Sequence, residues 1–213
     1  MTPEGFTIFH GMVPRLDVER VRLDAYWEWE HRAGDFGASG AFAVKGQQYH
    51  RKNVHRDFAS VRDVLQYLPI KRGHCVTHSK FSYKAVGVHD AWHPHQDAGY
   101  KPEPRSGYTV AVTLEEITAE HGALCLFPFS HEHGLLPHYR TDEEQIACMP
   151  PNGNTQRMFV GFPGDVCCFS LYTVHASGAN TVAGLRAMLF IELEPWNDTL
   201  RDDAGLVPEV IRQ

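Results

Sequence analysis

His95-Gln96-Asp97, answered far downstream by His175, brings together residue types that bind a redox metal. Two imidazoles and one carboxylate suit a non-haem iron(II) site, in which the protein occupies one face of an octahedron and leaves the opposite face to co-substrate and oxygen. The spacing has a local explanation. Residues i and i+2 of a strand project to the same side, so His95 and Asp97 grip one ion while Gln96 points away. His175 must then come from a different strand. Arg186, eleven residues past His175, adds a second clue. An arginine fork binds a carboxylate through two parallel hydrogen bonds, which lysine cannot reproduce. Its flanks, Leu185, Ala187, Met188, Leu189, Phe190 and Ile191, are apolar, so an unpaired Arg186 would be costly to bury. Beside a metal with open positions, it is where a dicarboxylate co-substrate would anchor.

The elements that must position these residues read as two helices followed by many short strands. Residues 5–10 alternate enough for a strand. Residues 13–31, with Leu16, Val18, Val21, Leu23, Tyr26 and Trp27 among charges, read as an amphipathic helix, ended by the glycines of 34–40. A strand is expected at 41–44, and a second helix at 58–68, where Val61, Val64, Leu65 and Leu68 recur at helical spacing before Pro69. From His74 the texture changes. Strands are expected at about 74–88, 108–114, 123–127, 157–160, 166–171, 174–176 and 185–194, with Pro163-Gly164-Asp165 as a turn between two of them. The result is a mainly β, double-sheet fold with helices packed outside one sheet. The segment 135–154, with Pro137, Pro150, Pro151 and Gly153, reads as an irregular flap.

Composition bounds the rest. A chain of 213 residues suits one large β domain spanning 1–213 rather than two. A formal charge of −6 and the absence of any basic block argue against nucleic acid or an anionic membrane as partner. Residues 1–10 carry no apolar run behind a basic start, and no stretch is long enough to span a bilayer, so a cytoplasmic location is expected. The five cysteines, Cys75, Cys125, Cys148, Cys167 and Cys168, form no C-x-x-C pair and fit a reducing compartment. Cys167-Cys168 reads as core, because neighbours on a strand face opposite ways. Of the fourteen histidines, His89, His93, His121, His131, His133 and His138 lie in Gly- or Pro-punctuated stretches that read as loops or rims. His131-Glu132-His133 repeats the i, i+2 idea between Phe129-Ser130 and Gly134, where a turn is the better reading. Nothing in the sequence speaks to oligomeric state.

At this point the residues carry a resemblance. The chain resembles the phytanoyl-CoA dioxygenase-like family of iron(II)/2-oxoglutarate oxygenases, whose core is a double-stranded β-helix or jelly roll, here about 74–194. His95-Gln96-Asp97 with Tyr100 resembles the family's first metal motif. The segment from Gly122 to His131, through Leu124, Pro128 and Ser130, resembles its Gly-x-Leu…Pro-Gly-Ser-His stretch, with Phe129 replacing the glycine. Gly164-Asp165, then His175-x-Ser177-Gly178 and Asn180, resembles the second metal motif, and Arg186 falls at the co-substrate arginine.

The resemblance implies that His95, Asp97 and His175 bind iron(II), that Arg186 holds the distal carboxylate of 2-oxoglutarate, and that Ser177 sits near that carboxylate. It also implies a polar contact from the preceding strand, where alternation puts His78, Lys80, Ser82 and Lys84 on one face and makes His78 and Ser82 the candidates. Where many relatives read Arg-x-Ser, this chain reads Arg186-Ala187-Met188. A carboxylate at Asp97 argues against halogenation and for oxygen transfer from O2 to a small-molecule substrate, with release of succinate and carbon dioxide. Lys80, Lys84, Lys101, Arg105 and Arg157 are candidates for a basic rim that would favour an acidic substrate. Two alternatives stand beside this reading: a metal cupin that does not use 2-oxoglutarate, and a non-catalytic jelly-roll binding protein.

Overall fold

Two long strands, β4 (His74–Lys84) and β13 (Arg186–Pro195), run antiparallel at the centre of the molecule and set its architecture. The structure is a computed structural model that describes residues 1–35, 42–45, 48–85, 91–101, 106–142, 145–151, 156–201 and 208. Around the central pair a seven-stranded sheet takes the order β1-β11-β6-β13-β4-β3-β2, from β1 (Phe6–Phe9), β2 (Phe42–Lys45), β3 (Gln48–Lys52), β6 (Tyr108–Thr113) and β11 (Val166–Ser170). A four-stranded sheet lies against it in the order β10-β7-β12-β5, from β5 (Trp92–His95), β7 (Leu124–Leu126), β10 (Arg157–Phe159) and β12 (His175–Ser177). A separate hairpin pairs β8 (His138–Arg140) with β9 (Ile146–Cys148).

The period-two alternation of β4 and β13 gives the large sheet two different faces. Phe81, Tyr83, Leu189 and Ile191 point outward and pack on helix α1 (Arg15–Arg32) and the short helices α2 (Val54–Asp57) and α3 (Ala59–Val64). Each such fully buried side chain is worth roughly 1.5–3 kcal/mol of transfer free energy. On α1 the buried stripe is Val18, Val21, Ala25 and Glu28, at helical spacing, whereas Leu16, Leu23 and Trp27 face solvent, so only part of the apolar pattern of 13–31 marks the packed face. Glu28 is tolerated there because Arg51 Nε meets it at 3.0 Å. The second core, between the sheets, holds Phe6, Ala111, Leu126, Phe159, Phe169 and Met188. Cys167 belongs to this inner core and Cys168 to the outer one, as expected of neighbours on a strand.

The turn before β11 is tied to the chain's start. Gly164 has φ +94°, and a Cβ there would lie 2.4 Å from the Val13 carbonyl oxygen, so the position requires glycine. Asp165 accepts from the Gly11 and Phe162 amides at 2.7 and 3.1 Å and lies 3.0 Å from His10 Nδ1.

Several boundaries differ from those expected. The second helix ends as a 3-10 turn (Leu65–Tyr67) after α3, and the strand expected over 74–88 stops at Lys84, with residues 86–88 and His89 outside the described residues. Strand β3 was not expected; it is a continuation of the hairpin begun by β2. The flap expected over 135–154 contains the β8–β9 hairpin, whose two ends pair His138 with Cys148 and Arg140 with Ile146, while residues 143, 144 and 152–154 lie outside the described residues. His131-Glu132-His133 does lie in a turn, the 3-10 segment Ser130–His133.

Candidate metal and co-substrate site

The pocket opens between the two sheets, where the inner face of β4, β6 and β13 meets β5 and β12. His95 ends β5 and is the register partner of His175 at the start of β12, so strand pairing alone sets the two imidazoles side by side, with ring centroids 4.2 Å apart. Asp97 is not on the strand. The chain stays extended through Gln96 (φ −115°, ψ 137°) and Asp97 opens the 3-10 segment Asp97–Tyr100, so the i, i+2 geometry survives although the strand has ended. Gln96 points the other way and locks the motif from behind. Its amide donates to the Gly134 and Tyr172 carbonyls at 2.8 and 2.6 Å, and its carbonyl oxygen accepts from the Leu136 amide at 2.8 Å.

One ligand atom from each of His95, Asp97 and His175 lies within 4.8 Å of the others, and all three residues are buried. Asp97 Oδ1 is 3.6 Å from His175 Nε2 and 3.9 Å from His95 Nε2. The remaining polar atoms of the trio are engaged. His95 Nδ1 bonds the His93 carbonyl at 2.8 Å, His175 Nδ1 bonds the Thr173 carbonyl at 3.0 Å, and Asp97 Oδ2 accepts from the Thr109 hydroxyl at 2.6 Å. A ring whose Nδ1 donates to a carbonyl carries its free lone pair on Nε2, so both imidazoles are held in the metal-binding tautomer.

The electrostatics agree with a donor set. Burial, reinforced by His175, holds His95 well below its ordinary value, which keeps it neutral. For Asp97, burial alone would push the carboxyl up, but His175, His95, Lys80 and the Thr109 hydroxyl outweigh it and bring it to about 2. Two imidazole Nε2 atoms and one carboxylate oxygen, facing one another, fit a divalent first-row metal.

Arg186 lies in the same pocket and is 1% exposed. It donates to the Gly122 carbonyl at 3.1 Å and reaches Ser82 Oγ at 3.5 Å, while its Nε has no partner. Among the described residues no carboxylate forms an ion pair with it, and burial pushes its guanidinium down to about 10, so it remains a cation at neutral pH. The pocket is partly open to solvent, with a cavity of about 40 Å³. Its walls include His50, Trp92, Leu124, Ser177 and Phe190.

The phytanoyl-CoA dioxygenase (PhyH) family model matches residues 7–188, which contain the trio and Arg186. The chain belongs to this family. A probable phytanoyl-CoA dioxygenase of Caenorhabditis elegans is 36% identical over 104 residues, which cover 44% of this chain and 33% of that protein. The peroxisomal phytanoyl-CoA dioxygenase of Homo sapiens is 22% identical over 219 residues, covering 85% of this chain and 62% of that protein, so the chain spans less than two thirds of either relative. Among solved structures, the epimerase SnoN in complex with Fe3+, alpha ketoglutarate and nogalamycin RO superposes with a TM-score of 0.74 at 17% identity, covering 99% of this chain and 90% of that one. That likeness makes the fold a jelly roll with helices packed on one sheet. Among the described residues no helix is long and apolar enough to cross a membrane.

Of the residues singled out from the PhyH motifs, His95, Asp97, His175, Arg186, Ser177 and Ser82 all border the one pocket. His78 does not line it; it is buried further along β4, opposite Glu192. Among the described residues the basic rim is largely absent. Lys84 is fully buried and donates to the Ser177 and Gly178 carbonyls, Lys101 pairs with Glu192 at 2.7 Å, and Arg157 sits on the outer edge of the small sheet 3.7 Å from Glu4. Arg105 lies outside the described residues. Of the described members of that group, Lys80 alone lines the pocket. Residues that sequence reading missed are Thr109, His50 and Trp92. Thr109 had a signal, a hydroxyl alternating with apolar residues on a buried strand; His50 depended on β3, which carries no strong alternation.

Proposed function

We propose that the chain is an iron(II)- and 2-oxoglutarate-dependent oxygenase that hydroxylates an unactivated C–H bond of a small organic substrate, releasing succinate and carbon dioxide. The observation that carries this reading is Arg186, a buried guanidinium with no ion-paired carboxylate among the described residues, in the same pocket as two imidazoles and an ionised aspartate. A metal site alone would not need such a cation, and an isolated buried cation is destabilising. The distal carboxylate of 2-oxoglutarate supplies the missing partner. Membership of the PhyH family and the fold of SnoN support the same reading.

His95 and His175 would bind iron through Nε2 and Asp97 through Oδ1, the atoms their hydrogen bonds leave free. Bound iron(II) supplies the oxidative chemistry, coupling dioxygen activation to decarboxylation of 2-oxoglutarate. The chain's own work is orientation. Thr109 holds the far oxygen of Asp97, so the carboxylate cannot rotate away from the ion. Ser82 and Ser177 border the pocket with Arg186 and offer hydroxyls to the distal carboxylate, in place of the serine that Met188 displaces. Leu124 and Phe190 give the pocket apolar walls and limit water. No side chain has to act as a general base, and Asp97, committed to the metal, is not free to do so.

The test is anaerobic reconstitution with iron(II) and 2-oxoglutarate, followed by oxygen, with succinate as readout. Iron binding without succinate would instead identify a metal cupin that does not use 2-oxoglutarate. A product carrying one additional oxygen atom supports hydroxylation over epimerisation, the reaction named for SnoN.

A further inference from the structure

We infer that Lys80 is the substrate's anchor and that the substrate carries a carboxylate or phosphate; this rests on the oxygenase reading above. The charged residues lining the pocket, among those described, are Lys80, Asp97, Arg186 and Glu192, besides its histidines. With iron(II) and the 2-oxoglutarate dianion bound, Asp97 and Arg186 balance them. Glu192 pairs with Lys101 at 2.7 Å, and the same ammonium lies 3.6 Å from Glu194. Lys80 is left over. Among the described residues no carboxylate forms an ion pair with it, and its ammonium lies 5.5 Å from the centroid of the Phe190 ring.

Its place in the sheet suits a substrate better than the co-substrate. Along β4 and β13 the register pairs Lys84 with Arg186, Ser82 with Met188 and Lys80 with Phe190, so Lys80 stands two steps along the inner face from the Arg186 end. It lines the same pocket as His95, Asp97 and His175. Trp92, half-buried and lining the same pocket, stands 6.0 Å from the His95 ring and 5.7 Å from His50. An oxyanion held by Lys80, with its carbon skeleton against Trp92, would bring a C–H bond to the metal. Lysine suits this task as a point charge on a flexible stem that follows a ligand of variable shape. An uncompensated cation at a partly open pocket also draws anions in.

The test separates the two readings. Calorimetry under anaerobic conditions first measures 2-oxoglutarate binding to the iron(II)-loaded protein; absence of binding would overturn the oxygenase reading. Benzoate and benzamide, a carboxylate and its neutral counterpart on a flat ring, are then titrated into the same protein, with 2-oxoglutarate present if it binds. Benzoate is expected to bind roughly tenfold more tightly than benzamide, a difference of about 1.4 kcal/mol. Lys80→Met, which keeps the stem over Phe190, should remove that preference, and Lys80→Glu should reverse it toward benzylamine. Equal binding of benzoate and benzamide to the wild type, or an unchanged preference in Lys80→Met, would overturn the inference. So would a loss of 2-oxoglutarate affinity in Lys80→Met matching the loss for benzoate, since Lys80 would then serve the co-substrate. In turnover, small carboxylic acids should stimulate succinate formation more than their amides do.

Discussion

The two faces of the β4–β13 pair share the same twenty-one residues of backbone and do opposite work. Outward, Phe81, Tyr83, Leu189 and Ile191 bury against the helices and have no chemistry beyond packing and the Tyr83 hydroxyl, which donates to the Ala25 carbonyl at 2.9 Å. Inward, Ser82, Lys84, Arg186 and Glu192, beside the partly exposed Lys80, place charges and hydroxyls in a buried space, at a cost that only partners or ligands offset. The difference teaches that stability and chemistry are separated by one residue step. A strand with period two carries a core on one face and a site on the other, provided its register cannot slip.

Breaking that division gives a ranked set of outcomes. The largest effect belongs to the trio: His95→Ala, Asp97→Ala or His175→Ala is expected to abolish succinate formation while circular dichroism and cooperative unfolding persist. Wild-type-like turnover in any one of them would sink that ligand's assignment. Next comes the outer face. Leu189→Ala should lower unfolding free energy by about 2–5 kcal/mol in a denaturant titration, with 2-oxoglutarate affinity unchanged where the protein remains folded. Arg186→Ala should have the reverse character, weakening 2-oxoglutarate binding roughly tenfold to a hundredfold, since charged hydrogen bonds are worth about 1.5–3 kcal/mol, while iron binding is retained. The ligand-free protein should lose little stability, and Arg186→Met should be as stable as the wild type or more so; a large loss would mean that Arg186 is structural.

The smallest effect is expected away from both faces, at Asp165. Burial would raise its carboxyl, but the Gly11 amide, His10 and the Phe162 amide hold it below its ordinary value. A folded-state pKa below the unfolded one contributes stability that is complete above the unfolded value, about pH 4, and is lost as pH falls through the folded value. Asp165→Asn should therefore cost about 1 kcal/mol at neutral pH, with the gap to wild type narrowing in thermal melts below pH 4. A gap that stays constant with pH would assign the effect to lost packing.

Much of the site was legible because its residue types are rare in other roles. An H-x-D pair, a later histidine followed by Ser177-Gly178, and an arginine inside an apolar strand have few structural explanations in that order. The scaffold was legible where alternation was strong, as in β4, β6 and β13. It was not legible in β3, whose residues are mostly polar, or in β8 and β9, each only three residues long. The basic rim failed for another reason. Lysines that look alike in sequence proved to be a buried donor to two carbonyls at Lys84, an ion-pair partner at Lys101 and a pocket cation at Lys80.

By itself the sequence determined the candidate donor residues, their order along the chain and the alternation that turns Arg186 inward, because each follows from side-chain chemistry and local backbone geometry. Only the tertiary structure decided that His95 and His175 are register partners, that Thr109 holds Asp97, that Lys101 pairs with Glu192 and Glu194, and that Lys80 has no ion-pair partner among the described residues. Those contacts join strands far apart in the chain. Their identity depends on sheet order and register, which no local pattern specifies.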